Sequence, residues 1–96
     1  MRKYELAYIA DPELDEQSLA SLEEKIVAWI QAAGGQVDKT DRWGKRRLAY
    51  PIKKRTDGTY VILSLQLPPR GGLAIERELR LSEQVLRYMI TSLETA

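Results

Sequence analysis

The sequence predicts an α+β domain in which four antiparallel strands form one sheet and two helices cover one of its faces, in the order βαββαβ. Three observations support this. Four stretches alternate apolar and polar residues at a period of two, two stretches repeat apolar residues every three or four positions, and Gly/Pro/Asp clusters separate them.

The first strand runs from Lys3 to Ala10, where Tyr4, Leu6, Tyr8 and Ala10 share one side and Glu5, Ala7 and Ile9 the other. Asp11-Pro12 ends it. Asp15 is placed to cap the first helix, with Glu16 at its positive end. Leu19, Leu22, Ile26, Ile30 and Ala33 then form one helical face, and Trp29 is expected at the edge of the core. Gly34-Gly35 supplies the stop. A long second strand is predicted from Gln36 to about Lys53, irregular at Gly44, with Thr56-Asp-Gly58 as the turn that follows.

The returning strand has the clearest pattern, with Val61, Leu63, Leu65 and Leu67 facing inward and Tyr60, Ile62, Ser64 and Gln66 outward. After the break at Pro68-Pro69-Arg-Gly-Gly72, Leu73, Ile75, Leu79 and their neighbours predict a short helix, with Glu76 and Glu78 opposing Arg77 and Arg80. The last strand then alternates Leu86, Tyr88 and Ile90 against Arg87 and Met89. Two split βαβ units of this kind make the ferredoxin-like plan, with the second and fourth strands at the edges. Pro51 suits an edge because it has no amide proton to donate to a ladder.

Ninety-six residues are expected to form one domain, 1–96, with a modest core. Neither cysteine nor histidine is present, so disulfides and the usual zinc sites are excluded and no metal or cofactor is expected. No secretory h-region or membrane-length apolar run occurs, so the expectation is a soluble intracellular protein. Catalysis is disfavoured: the common general base and thiol nucleophile are missing, and the lack of asparagine rules out the Arg-plus-Asn pair of acyl phosphatases.

Charge is unevenly distributed although the formal net value is only +1. Eight of the fifteen lysines and arginines lie between Gln36 and Gly58, and the run from Arg42 to Arg55 holds no acid. Cations interleaved with Trp43 and Tyr50 on a strand suit a phosphate backbone. The same charges on an edge strand also discourage aggregation, and the edge itself can add to a partner's sheet, so all three readings stand at this point.

Met1-Arg-Lys-Tyr-Glu5, Trp43-Gly-Lys-Arg-Arg-Leu-Ala-Tyr-Pro-Ile52 and Val85-Leu-Arg-Tyr-Met89 resemble the bacterial small-subunit ribosomal protein S6 family in content, order and spacing. The resemblance implies a structural, non-enzymatic constituent of the small ribosomal subunit. It also implies binding to the central domain of small-subunit (16S) rRNA, in a heterodimer with ribosomal protein S18, during platform assembly. The setting would be the cytoplasmic ribosome or a plastid stroma of bacterial descent, with no membrane and no small-molecule substrate. Carried onto matching positions, it makes Arg2, Lys45, Arg46, Arg47 and Arg87 RNA-binding, with Trp43 and Tyr50 as supporting or partner-contact residues. Lys53, Lys54 and Arg55 join them on charge alone.

Arg87 is expected on the sheet face away from the helices. Tyr50 shares strand parity with Leu48, which leaves core packing open beside stacking. Many relatives carry an acidic tail where this sequence ends at Thr95-Ala96, so no tail-dependent contact is expected. An RNA-recognition-motif mode, with single-stranded bases stacked on the central strands, is the alternative. The lack of phenylalanine weakens it, and Tyr60 is its one aromatic candidate on the open face.

Overall fold

The computed structural model describes residues 1–93; the expectation concerning Thr95-Ala96 lies outside them. The elements are β1 (Arg2–Ala10), α1 (Glu16–Ala32), β2 (Gln36–Ile52), β3 (Arg55–Leu67), α2 (Gly71–Leu81) and β4 (Val85–Ser92). The strands form one antiparallel sheet in the order β2-β3-β1-β4, so β2 and β4 are the edges and the ferredoxin-like plan holds.

The core follows from the period-two faces of the central strands meeting the helical stripes. Leu6, Tyr8 and Ala10 of β1 and Val61, Leu63, Leu65 and Leu67 of β3 pack with Leu22, Ile26 and Ile30 of α1 and Ile75 and Leu79 of α2. Trp29 lies partly buried at its margin. The Asp15 carboxylate accepts from the Ser18 amide at 2.7 Å, fixing the start of α1 as its residue type requires. Among the described residues no charged or polar side chain is buried, and the one buried polar atom without a partner is the Tyr8 hydroxyl. Burial pushes the Tyr8 phenol well above its ordinary range, Glu23 pushes the same way, and Arg42 opposes both.

One expectation is corrected. The β2–β3 turn is not at Thr56-Asp-Gly58. Ile52 pairs with Arg55, and the tip is Lys53-Lys54, both at positive φ (49° and 67°). Gly58 instead lies inside β3 opposite Arg46, where a Cβ would collide with Ile9 Cγ2. Glycine is there for close approach of a side chain, a requirement that sequence alone does not distinguish from a turn. Leu73 points outward and is 67% exposed, because α2 turns only Gly71, Ile75 and Leu79 to the core. The two readings left open at Tyr50 separate at the register break of β2 between Arg47 and Ile52: parity is lost there, and Tyr50 is exposed while Leu48 is buried.

The irregularity at Gly44 is present as expected, with φ of 81° and a register shift between Arg42 and Gly44. Pro51 falls within the unpaired stretch between Arg47 and Ile52, where no ladder bond is demanded of it.

Candidate nucleic-acid interface

β1 ends at Ala10 opposite Thr59, whereas the β2–β3 hairpin continues through Lys45↔Thr59, Arg46↔Gly58 and Arg47↔Asp57 to the tip. Beyond Thr59 the hairpin therefore overhangs the sheet. It leans toward the start of β4, where Lys53 Nζ donates to the Val85 carbonyl at 3.5 Å and Arg87 donates to the Tyr50 hydroxyl. The Arg87 guanidinium also lies 5.7 Å from the Tyr50 ring centroid, a cation–π arrangement that joins the two edge strands. Arg87 is exposed on β4 and pairs with Ile9, which in turn pairs with Tyr60, placing it level with Gly44 on β2.

Lys45, Arg46, Arg47, Lys53, Lys54 and Arg87 are thus collected at one end of the sheet from two distant stretches of chain. None of the six forms an ion pair with a described residue. Arg46 lies over Trp43 at 5.8 Å from the ring centroid, and the Trp43 indole donates to Asp41 at 3.1 Å, so Trp43 is a platform that orients a cation. It is 49% exposed.

Two predicted site residues do not join this group. Arg2 pairs with Leu67, nine positions along β3 from the Gly58 that faces Arg46, which at strand rise is about 30 Å away. Arg55 lies near the tip but is bound to carboxylates, Asp11 at 3.3 Å and Glu13 at 3.1 Å. Arg42, which opens the acid-free run, is likewise bound by both oxygens of Glu23. The run is acid-free in sequence, yet its two ends are neutralised by acids contributed from α1 and from the segment before it. One cation absent from the predicted set, Arg80, shares a groove with Lys53 and Arg87 at the last turn of α2. Helical spacing gave no sign of this, because only the packing of α2 on β4 brings it there.

Comparison with known proteins bears on the family and the fold. The family model described as ribosomal protein S6 matches residues 3–92. The chain belongs to the ribosomal protein S6 family. The small ribosomal subunit protein bS6 of Dictyoglomus turgidum is 49% identical over 94 residues, covering 98% of this chain and 97% of the relative. That of Salinispora arenicola is 47% identical over 90 residues and 94% of each chain. The crystal structure of 30S ribosomal protein S6 from Thermotoga maritima superposes with a TM-score of 0.89 at 27% identity, covering 95% of this chain and 86% of that one. The S6-family chain is accordingly a structural component of the small ribosomal subunit, in a family of rRNA-associated rather than enzymatic proteins. No described helix is long and apolar enough to cross a membrane.

Proposed function

We propose that the chain acts as one domain over residues 1–96, docking onto the central domain of 16S rRNA in the cytoplasm as a heterodimer with ribosomal protein S18. The observation that carries the RNA contact is the gathering of Lys45, Arg46, Arg47, Lys53, Lys54 and Arg87 at the overhanging end of the sheet without ion pairing. Exposed cations not committed to carboxylates are the groups that exchange counterions for phosphates. The guanidiniums supply bidentate bonds to phosphate oxygens, and the RNA is selected by its folded shape more than by base edges. Arg2, far along the sheet, serves a separate contact.

The partner protein is assigned to the open sheet face. A shallow groove of about 320 Å³ there is lined by Ala7, Ile9, Tyr60, Arg87 and Met89, and Met89 is 63% exposed. An apolar groove bordered by the basic end lets one surface meet protein and RNA together. Titrating the pair with S18 against the rRNA fragment at varied salt tests the reading. About four phosphates neutralised give a slope of log affinity on log salt of roughly −3 to −4. An affinity indifferent to salt, or unaltered by Arg46→Ala with Arg47→Ala, removes the basic end as the docking surface. Tight binding of short single-stranded oligonucleotides with tyrosine quenching would instead favour base stacking on Tyr60.

A further inference from the structure

We propose that Arg55 is a positioning residue: it holds the overhanging hairpin in its docking pose and does not itself bind phosphate. This rests on the RNA-docking reading above. Past Thr59, β3 has lost β1 as a neighbour, and a two-stranded hairpin is marginally stable by itself. The overhang therefore depends on side chains that tie it back to the body.

Arg55 makes the strongest of these ties. Its Nη2 lies 3.3 Å from Asp11 Oδ2 and 3.1 Å from Glu13 Oε2, so one guanidinium at the base of the tip is held by two carboxylates of the β1–α1 connection. The anchor is itself fixed. Asp11 Oδ1 accepts from the Glu13 amide at 3.0 Å, the Asp11 carbonyl accepts from Leu14, and the Asp11 amide donates to the Gln84 carbonyl at 2.9 Å. Every atom of Asp11 that can bond is thus committed to holding Arg55 or to holding the loop in place for it. Lys45 and Lys54 line the same groove as Arg55 and Glu13, so movement of this clasp moves two of the proposed phosphate contacts. A guanidinium already shared by two carboxylates gains little from a phosphate, and those carboxylates repel one.

The clasp and a direct contact predict opposite signs. Asp11→Asn with Glu13→Gln removes two negative charges beside the basic end. If Arg55 bound phosphate, it would be released to do so and affinity would rise. As a clasp, Arg55 loses its anchor and affinity falls. Binding of the rRNA fragment by the S18 pair is expected to weaken roughly two- to fivefold in both Arg55→Ala and the Asp11/Glu13 double variant, as a half-exposed ion pair allows when it sets the fraction of docked hairpin. The salt slope should stay at the unsubstituted value, whereas Arg46→Ala makes it shallower by about 0.7 to 0.9. Tighter binding by the double variant, or a shallower slope in Arg55→Ala, overturns the proposal. Amide exchange in the free protein gives a second measure independent of RNA. Arg55→Ala should speed exchange at the Arg47–Asp57 and Ile52–Arg55 pairs, and unchanged exchange there also overturns it. Should the unsubstituted protein bind with no salt dependence, the docking reading fails, and the exchange result still decides whether Arg55 is a clasp.

Discussion

Arg42 donates Nε and Nη2 to the two carboxylate oxygens of Glu23, at 2.7 and 2.6 Å, tying the edge strand β2 to the outer side of α1. Glu16 adds a longer contact at 4.0 Å. Glu23 is mostly sheltered while Arg42 is half exposed, and the fork geometry makes this the best formed ion pair in the described chain. It raises the Arg42 pKa further, through hydrogen bonding and charge from Glu23. Arg42→Ala or Glu23→Gln should each cost about 1 kcal/mol in urea unfolding, with the double variant costing little more than either. The salt slope of RNA binding should not change, because Arg42 is occupied.

Gly58 admits Ile9 where a side chain would stand, so Gly58→Ala forces the two together. The φ there is ordinary and no turn is involved, which makes the penalty one of overpacking, about 1–3 kcal/mol. Ile9→Ala placed in the same chain should recover part of the loss. A double-mutant cycle by chemical denaturation checks this, since independent costs would add.

At the hairpin tip, Lys53 and Lys54 both adopt the left-handed conformation that β-carbons resist. Lys53→Asn with Lys54→Gly supplies the residues a two-residue turn of this kind prefers and should stabilise the fold by about 1 kcal/mol. On the proposed docking mode, RNA affinity should nonetheless fall, with a salt slope shallower by roughly 1 to 2, because two cations proposed to face phosphate are removed. Thermal unfolding and salt titration of the same variant separate the two effects.

Acid should weaken the protein through two carboxylates. The Asp15 pKa is lowered by the Ser18 amide and hydroxyl, and that of Asp38 by the side-chain amides of Gln66 and Gln36. A carboxyl depressed in the folded state contributes stability that is complete above its unfolded pKa, about 3.9, and is lost as pH falls through the lower folded value. Unfolding free energy should therefore be level near neutrality and fall below about pH 4. Asp15→Asn keeps a capping oxygen with nothing to titrate, so its acid limb should be shallower, as measured by denaturant melts from pH 2 to 6.

The period-two and helical patterns were sufficient for the element order, the edge position of β2 and most of the core, because burial of one face acts on each element locally. They did not say which apolar residues of α2 are buried: the short helix turns a narrow stripe inward that takes Ile75 and Leu79 and leaves Leu73 outside. At Tyr50 they left packing and stacking open for a different reason: strand parity carries information only while the register is unbroken.

From residues alone came the sheet with its helical cover, the concentration of cations in the second strand, and the family, since these depend on spacing and composition along the chain. Tertiary structure decided which cations remain available. Arg42 and Arg55 lie within the same basic stretch as Arg46 and Arg47, yet only folding brings Glu23, Asp11 and Glu13 against the first two. It also separated Arg2 from the basic end and brought Arg87 beneath Tyr50. Charge pairing depends on distances of a few ångströms between residues tens of positions apart, and no local pattern encodes those distances.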